Sequence, residues 1–326
     1  MTTTPRWLWR GAVAVAACVF AAAAGAQAYP AKPIRIVVAY PMGGGAEFTA
    51  RPIAQKLNER WGQPVFVESR SGGSAMIGTD YVAKSPPDGY TMLLSASSEV
   101  SMNVVLFKKM PYDPVRDLQP LTLIGTSPPL LLAHPSLPVK SVKELVALAR
   151  AHPGALNYAS IGTGSPQHFA GELMKTMFRI QMTHVPYKGA APALIDMVGG
   201  HVPIGLVAPT VAVPHVKAGR LRALGVTSAQ RSGSMPDVPT IAEQGAPGFD
   251  IVQWYALWLP ARTPKDVADK LHGEINAALA DPNIVARLTE AGVTILILSR
   301  TGFGKFIAQE TEKWGKVIRA ANIKPD

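Results

Sequence analysis

Residues 34 to 61 set three features in a row. An apolar, β-rich run from Ile34 to Tyr40 ends at Pro41. Three adjacent glycines follow, Gly43, Gly44 and Gly45, and then a helical period runs from Ala46 through Ile53, Leu57 and Trp61. Strand, tight turn and helix form half of a βαβ unit. The same alternation continues down the chain, with candidate strands at 34–40, 64–68, 90–95, 121–125, 129–134, 156–160, 182–186, 203–207, 222–227 and 255–259. Between and after them lie candidate helices at 46–61, 74–84, 141–151, 166–179, 190–199, 210–218, 264–280, 283–291 and 302–321. Strands spaced by helices predict an α/β fold of parallel sheets covered on both faces.

Boundaries are well marked. Pro86-Pro87-Asp88-Gly89 is a turn, and Ser141 with Glu144 three residues on is a capping box. Thr263-Pro264 opens a long helix with proline at its first position. Two apolar segments could cross between lobes: Leu121 to His134, interrupted by Pro128-Pro129, and Phe249 to Pro260, which carries Trp254, Tyr255 and Trp258. If both are hinge strands, lobe one is 29–127 plus 253–326 and lobe two is 128–252. The alternative is one continuous sheet with a long edge segment.

At 326 residues, 48% hydrophobic and 17% charged, the chain has room for two lobes with sizeable cores. Arg6 and Arg10, the apolar run Gly11 to Ala24 and the Ala26-Gln27-Ala28 site form a secretory signal peptide (1–28), with cleavage expected after Ala28. Its removal takes the net charge from +10 to +8. The basic residues are scattered, which predicts a general attraction for anions and no nucleic-acid partner. Cys18, the only cysteine, lies in this leader, so no disulfide or thiol chemistry is expected in the mature chain. Val15-Ala16-Ala17-Cys18 resembles a lipoprotein box. The apolar run continues past Cys18 to a good cleavage site, which favours a secreted, periplasmic protein over a lipid anchor.

A second strand–turn–helix occupies Leu156 to Phe169, with Gly162, Thr163, Gly164 and Ser165 at the turn and Pro166 after it. Ser165 reads as an N-cap and, alternatively, as an anion donor. Glycine turns at helix starts converge N–H groups on an anion. Desolvating a carboxylate costs several kcal/mol, and one partly buried helix terminus returns up to about 2 kcal/mol, so several donors must converge. Two turns, one per lobe, can supply them. Neither has the lysine of a phosphate-binding P-loop, the dinucleotide glycine spacing is missing, and no Gly-x-Ser-x-Gly elbow occurs. The seven histidines show no zinc spacing. His168 could donate to a bound carboxylate or face solvent. Glu47 could compensate the helix dipole, or orient the loop or a water.

The chain resembles the Bug/TctC-type extracytoplasmic solute-binding receptors of tripartite tricarboxylate transporters. The resemblance is carried by Tyr29 to Arg35, Pro41 to Gly45 with Ala50-Arg51, Pro87 to Thr91, Tyr158 with Gly162 to His168, Pro186 to Gly189, Gly219 to Leu224, and Pro236 to Thr240. It implies a two-lobed periplasmic-binding-protein fold of the type II, Venus-flytrap kind, each lobe a mainly parallel sheet flanked by helices, with two crossing hinge segments. It also implies a small carboxylate between the lobes, held by the two turns and partly through ordered waters, and delivery of the closed form to membrane permease subunits. No cofactor, metal or catalytic constellation is expected, and the chain is expected to be a monomer. A ligand-sensing adaptor and a secreted enzyme on the same scaffold are the alternatives.

The expected ligand contacts are Tyr40, Met42, Gly43, Gly44, Gly45, Ala46, Glu47 and Ser97 in lobe one. In lobe two they are Ser160, Gly162, Thr163, Gly164, Ser165, His168, Tyr187 and Val207. Three positions depart from the family pattern: Pro41-Met42 where Pro-Pro is usual, Glu47 followed by Phe48 where Asp is frequent, and Val207 where many members carry Asp. A carboxylate at 207 would suit a ligand ammonium, and valine cannot pair one. The expected ligand therefore has no amino group: a dicarboxylate, a hydroxy or keto acid, or an aromatic acid.

Overall fold

A computed structural model describes residues 29–320 and 323, so the leader with Cys18 lies outside the described residues. Eleven strands form two sheets. The first has the order β11-β4-β10-β3-β1-β2, with β1 Ile34–Val38, β2 Val65–Ser69, β3 Thr91–Ala96, β4 Leu118–Ser127, β10 Gln253–Pro260 and β11 Thr294–Ile295. The second has the order β7-β6-β8-β5-β9, with β5 Leu130–Ala133, β6 Asn157–Ser160, β7 Thr183–Pro186, β8 Ile204–Val207 and β9 Arg222–Val226. One continuous sheet is thereby excluded.

The sheets are mixed, where the sequence predicts mainly parallel ones. β1 runs parallel to β2 and β3, and β6 parallel to β7 and β8. Against these, β10 is antiparallel to β3 and β4, and β5 to β8 and β9. The reason lies in the link between β4 and β5. It contains only Pro128 and Pro129, too few residues for a crossover within one sheet, which needs a dozen or more. Two prolines also withhold two ladder donors. The chain therefore passes straight from the first sheet into the second, and β10 brings it back. Of these passing strands, β10 runs against β3 and β5 against β8.

Ten helices are described: α1 Gly45–Trp61, α2 Met76–Ala83, α3 Asn103–Leu106, α4 Val142–Ala151, α5 Pro166–Phe178, α6 Ala190–Val198, α7 Pro209–Lys217, α8 Lys265–Leu279, α9 Pro282–Glu290 and α10 Arg300–Ala320. A π-helical turn, Ser98–Met102, leads into α3. On one face of the first sheet, Ile36, Val38 and Leu94 pack with Ala50, Ile53 and Leu57 of α1 and with Leu271 and Ile275 of α8. In the second sheet Leu131, Ile204 and Leu206 pack with Leu145 of α4 and with Phe169 and Met174 of α5.

Helix α10 spans both lobes. Near its start Phe303 packs on Trp258 with ring centroids 5.2 Å apart. Near its end Trp314 meets Phe169 of α5 at 5.8 Å, and Ile318 joins the core of the second sheet. It is a third connection beside the two crossing strands. None of the described helices is long and apolar enough to cross a membrane.

Candidate functional site

Between the two sheets lies a cleft of about 620 Å³. One wall is Tyr40-Pro41 with Ser71 to Ala75, and the other is Ile161 to Ser165 with Pro186 to Gly189. A second, inner chamber of about 30 Å³, also lined by Tyr40, Pro41, Ile161 and Gly189, has Gly44, Gly45, Ala46, Gln167, Ala208, Gln253 and Tyr255 at its walls. That volume is enough to admit a water molecule or a carboxylate oxygen. The lobes touch around this space. Ser74 Oγ donates to the Thr163 carbonyl at 3.3 Å, and Gln167 Nε2 donates to Gln253 Oε1 at 2.9 Å.

The first turn presents open donors. Gly43 takes φ +80°, which the missing side chain permits, and its N–H donates to the Glu47 carboxylate. Glu47 is buried and also pairs with Arg51, so it fixes the loop. Gly44 caps α1 without a side-chain hydrogen bond. The first N–H groups of any α-helix lack intrahelical acceptors, and here Gly44, Gly45 and Ala46 line the inner chamber. Two hydroxyls stand opposite. Tyr255 Oη, on a residue with 0% exposure, and Thr210 Oγ1, on one with 7%, have no hydrogen-bond partner among the described residues. A Cβ built on Gly45 would lie 2.3 Å from Tyr255 Oη and 2.6 Å from Thr210 Oγ1. A buried hydroxyl without a partner costs about 1–3 kcal/mol, so this is a set of donors that an anionic acceptor would satisfy.

The second turn spends its donors on itself. Gly162 N–H donates to Ser160 Oγ at 3.1 Å, and Gly164 N–H to His168 Nδ1 at 3.3 Å. Ser165 caps α5, accepting from His168 N–H at 3.2 Å, while its own hydroxyl donates to the Gly162 carbonyl at 2.6 Å. Below, His168 stacks on His184 at 4.1 Å, and His184 Nε2 is hydrogen-bonded with Ser160 Oγ at 2.7 Å. Tyr187 lines the cleft, with its hydroxyl hydrogen-bonded to Asp196 at 2.5 Å. The turn is a stiff wall rather than a mirror image of the first.

Of the expected contacts, Tyr40, Gly44, Gly45, Ala46, Gly162, Thr163, Gly164, Ser165 and Tyr187 line one of the chambers. Gly43, Glu47, Ser160 and His168 sit behind them, supporting the turns. Met42 is exposed outside the cavity, and Ser97 is buried with its hydroxyl unpartnered. Val207 is buried among apolar residues, and its neighbour Ala208 reaches the inner chamber. Sequence reasoning missed Thr210, Gln167, Gln253 and Tyr255. It also missed the Ser71-Gly72-Gly73-Ser74 turn, whose composition is itself a turn signal. Thr210 follows Ala208-Pro209 at a helix start, a pattern that could have marked it.

One acid lies directly beneath the site. Glu99, on the π-helical turn, is fully buried, and its carboxylate accepts from Tyr40 Oη at 2.7 Å and from Ala96 N–H at 3.1 Å. Burial pushes its carboxyl up to about 8 despite these hydrogen bonds. Among the described residues no acidic one lines either chamber, and Lys188, exposed, is the one charged residue that does.

The tripartite tricarboxylate transporter family receptor model matches residues 49–323. Protein BugT of Bordetella pertussis is 36% identical over 311 residues, covering 95% of each chain. Among solved structures, R. palustris Rpa4515 with adipate superposes with a TM-score of 0.89 at 35% identity, covering 91% of this chain and all of that one. MatC (Rpa3494) from Rhodopseudomonas palustris with bound malate gives 0.83 at 29%, covering 89% of this chain and all of that one. With a family match running through both lobes and the cleft between them, this chain belongs to the receptor family of the tripartite tricarboxylate transporters.

Proposed function

We propose that the chain captures a small, amine-free carboxylate outside the cytoplasm and presents it to a membrane permease. One observation carries the reading: the open amino terminus of α1, faced by the unpartnered hydroxyls of Tyr255 and Thr210. One carboxylate of the ligand seats there. A charge-assisted hydrogen bond is worth about 1.5–3 kcal/mol, so three or four bonds offset desolvation and leave room for a micromolar affinity, about −8 kcal/mol. The rest of the ligand occupies the outer cleft, whose 620 Å³ is large for a four-carbon acid alone. With no acidic lining residue among the described residues, a ligand ammonium would have no partner there. Adipate in Rpa4515 and malate in MatC are ligands of the same chemical class on the same fold.

Capture works by differential contact. The seat takes α1 from lobe one (29–127 plus 253–326) and Thr210 from lobe two (128–252), so the acid stabilises only the state in which both meet. Rotation runs about β4–β5 and β10, with α10 bending or sliding at its contact with Phe169. The test is a thermal-shift panel of carboxylic acids on refolded, ligand-free protein starting at Tyr29. An acid at about 100 times its dissociation constant adds roughly 2.7 kcal/mol, a shift of several degrees. A panel in which aspartate and glutamate act and amine-free acids do not contradicts the ligand class. No response to any acid contradicts the receptor reading.

A further inference from the structure

Resting on the carboxylate reading above, we propose that capture of the acid is coupled to the uptake of one proton by Glu99, which reverses the Tyr40–Glu99 hydrogen bond and frees the Tyr40 hydroxyl for the ligand.

The geometry is specific. Tyr40 lines both chambers, and its hydroxyl donates to Glu99, which links them to that acid. With Glu99 ionised, the single Tyr40 proton is spent on Glu99 Oε2, and Tyr40 offers the cleft no donor. A proton taken from solvent onto Oε2 makes Glu99 the donor and Tyr40 Oη the acceptor. The Tyr40 O–H can then turn toward the cleft. The same proton removes a buried negative charge from beneath the anion seat. Both consequences favour the anion, so by linkage the anion favours the proton.

The surroundings leave this acid without a compensating charge. Tyr40 follows β1, Tyr255 stands on β10, and Tyr112 donates to the Glu99 carbonyl at 2.7 Å. Asp80 of α2 bears on Tyr112. α10 contributes Phe303 beside Val100 and Trp314 beside Met102. Among the described residues no cation faces the carboxyl. Its raised pKa agrees with this placement and puts the coupling at mildly alkaline pH. Well below that range Glu99 already holds the proton, and binding takes up none.

The test is titration calorimetry with adipate and malate, in buffers of different ionisation enthalpy, on wild type and Glu99→Gln. Both acids are fully ionised at pH 8.5, where the uptake is read, since ordinary carboxyl groups titrate near 4. At about pH 8.5 wild type takes up between half and one proton per acid, and near pH 6 none. Its affinity falls by up to about tenfold per pH unit above 8, the limit for one linked proton. Glu99→Gln binds with no linked proton and a flat profile, which separates Glu99 from the His168–His184 pair. Acid binding without proton uptake at pH 8.5, or equal uptake by Glu99→Gln, overturns the proposal. If neither acid binds, the choice of ligand fails on its own. The site-assigned ¹³C carboxyl titration of Glu99 in the free wild-type protein then decides: a midpoint near 8 supports the coupling, and one below about 6 overturns it.

Discussion

Gly45→Ala probes the anion seat with a single methyl group. Gly45 opens α1 with ordinary helical φ, so alanine fits the backbone and by propensity alone adds up to about 1 kcal/mol to the helix. The new methyl would sit 2.3 Å from Tyr255 Oη and 2.6 Å from Thr210 Oγ1, inside contact distance. Tyr255 Oη ends a fully buried ring and Thr210 Oγ1 a short β-branched side chain, so the start of α1 shifts or the lobes part slightly. Either way the methyl occupies the space a carboxylate oxygen needs. Losing two charge-assisted hydrogen bonds removes about 3–6 kcal/mol, a fall in affinity of roughly a hundredfold to ten-thousandfold. Calorimetry with the acid that shifts wild type most measures this, and the ligand-free melting point controls for folding, with a change within a few degrees expected. Wild-type affinity in a folded Gly45→Ala variant refutes the seat.

Three further outcomes follow from other parts of the structure. Glu99 has a folded-state pKa raised to about 8 from an ordinary 4.5. Its ionised form is therefore disfavoured in the fold, and stability falls as pH rises from the unfolded to the folded value. Urea unfolding should show Glu99→Gln gaining on wild type across that window, by up to roughly 5 kcal/mol at about 1.36 per pH unit; parallel profiles would contradict it. Trp314→Ala empties a fully buried site where α10 meets α5, and should cost about 3–5 kcal/mol by denaturant titration. Gly189 has φ +107° and lies where a Cβ would press on Pro41 Cγ at 3.1 Å, across the two lobes. Gly189→Val should hold the lobes apart, read as a larger radius of gyration by solution scattering with acid present; an unchanged radius would contradict it.

The strands and helices of the βαβ units were legible because periodicity and punctuation agree in them. Pro86 to Gly89 and the Ser141 cap end or begin elements where the sequence places them, while Pro264 is the N-cap of α8 and not its first helical residue. What escaped is what tertiary packing imposes. Ser97-Ser98-Glu99-Val100-Ser101 is poor in helix formers, yet it coils because Val100 and Met102 pack with the aromatic residues of α10. Strand direction escaped too, since nothing local records that Pro128-Pro129 carries the chain from one sheet to the other. In the site, the glycine turns were visible as turns. Their inequality was not: it depends on Ser160, Ser165 and His168 consuming the donors of one, and on the other opening α1 at the inner chamber beside two unpartnered hydroxyls. Tyr255 and Thr210 meet at Gly45 only through folding, from positions more than 160 residues away in sequence.

The most direct test of the account is a crystal structure of the protein with its best-binding amine-free acid. One carboxylate is expected within about 2.7–3.2 Å of the Gly45 or Ala46 N–H and of Tyr255 Oη, directly or through one water, with Thr210 closing from the other lobe. A carboxylate lodged on the second turn at Gly162 to Ser165, with the α1 terminus left to solvent, would contradict it.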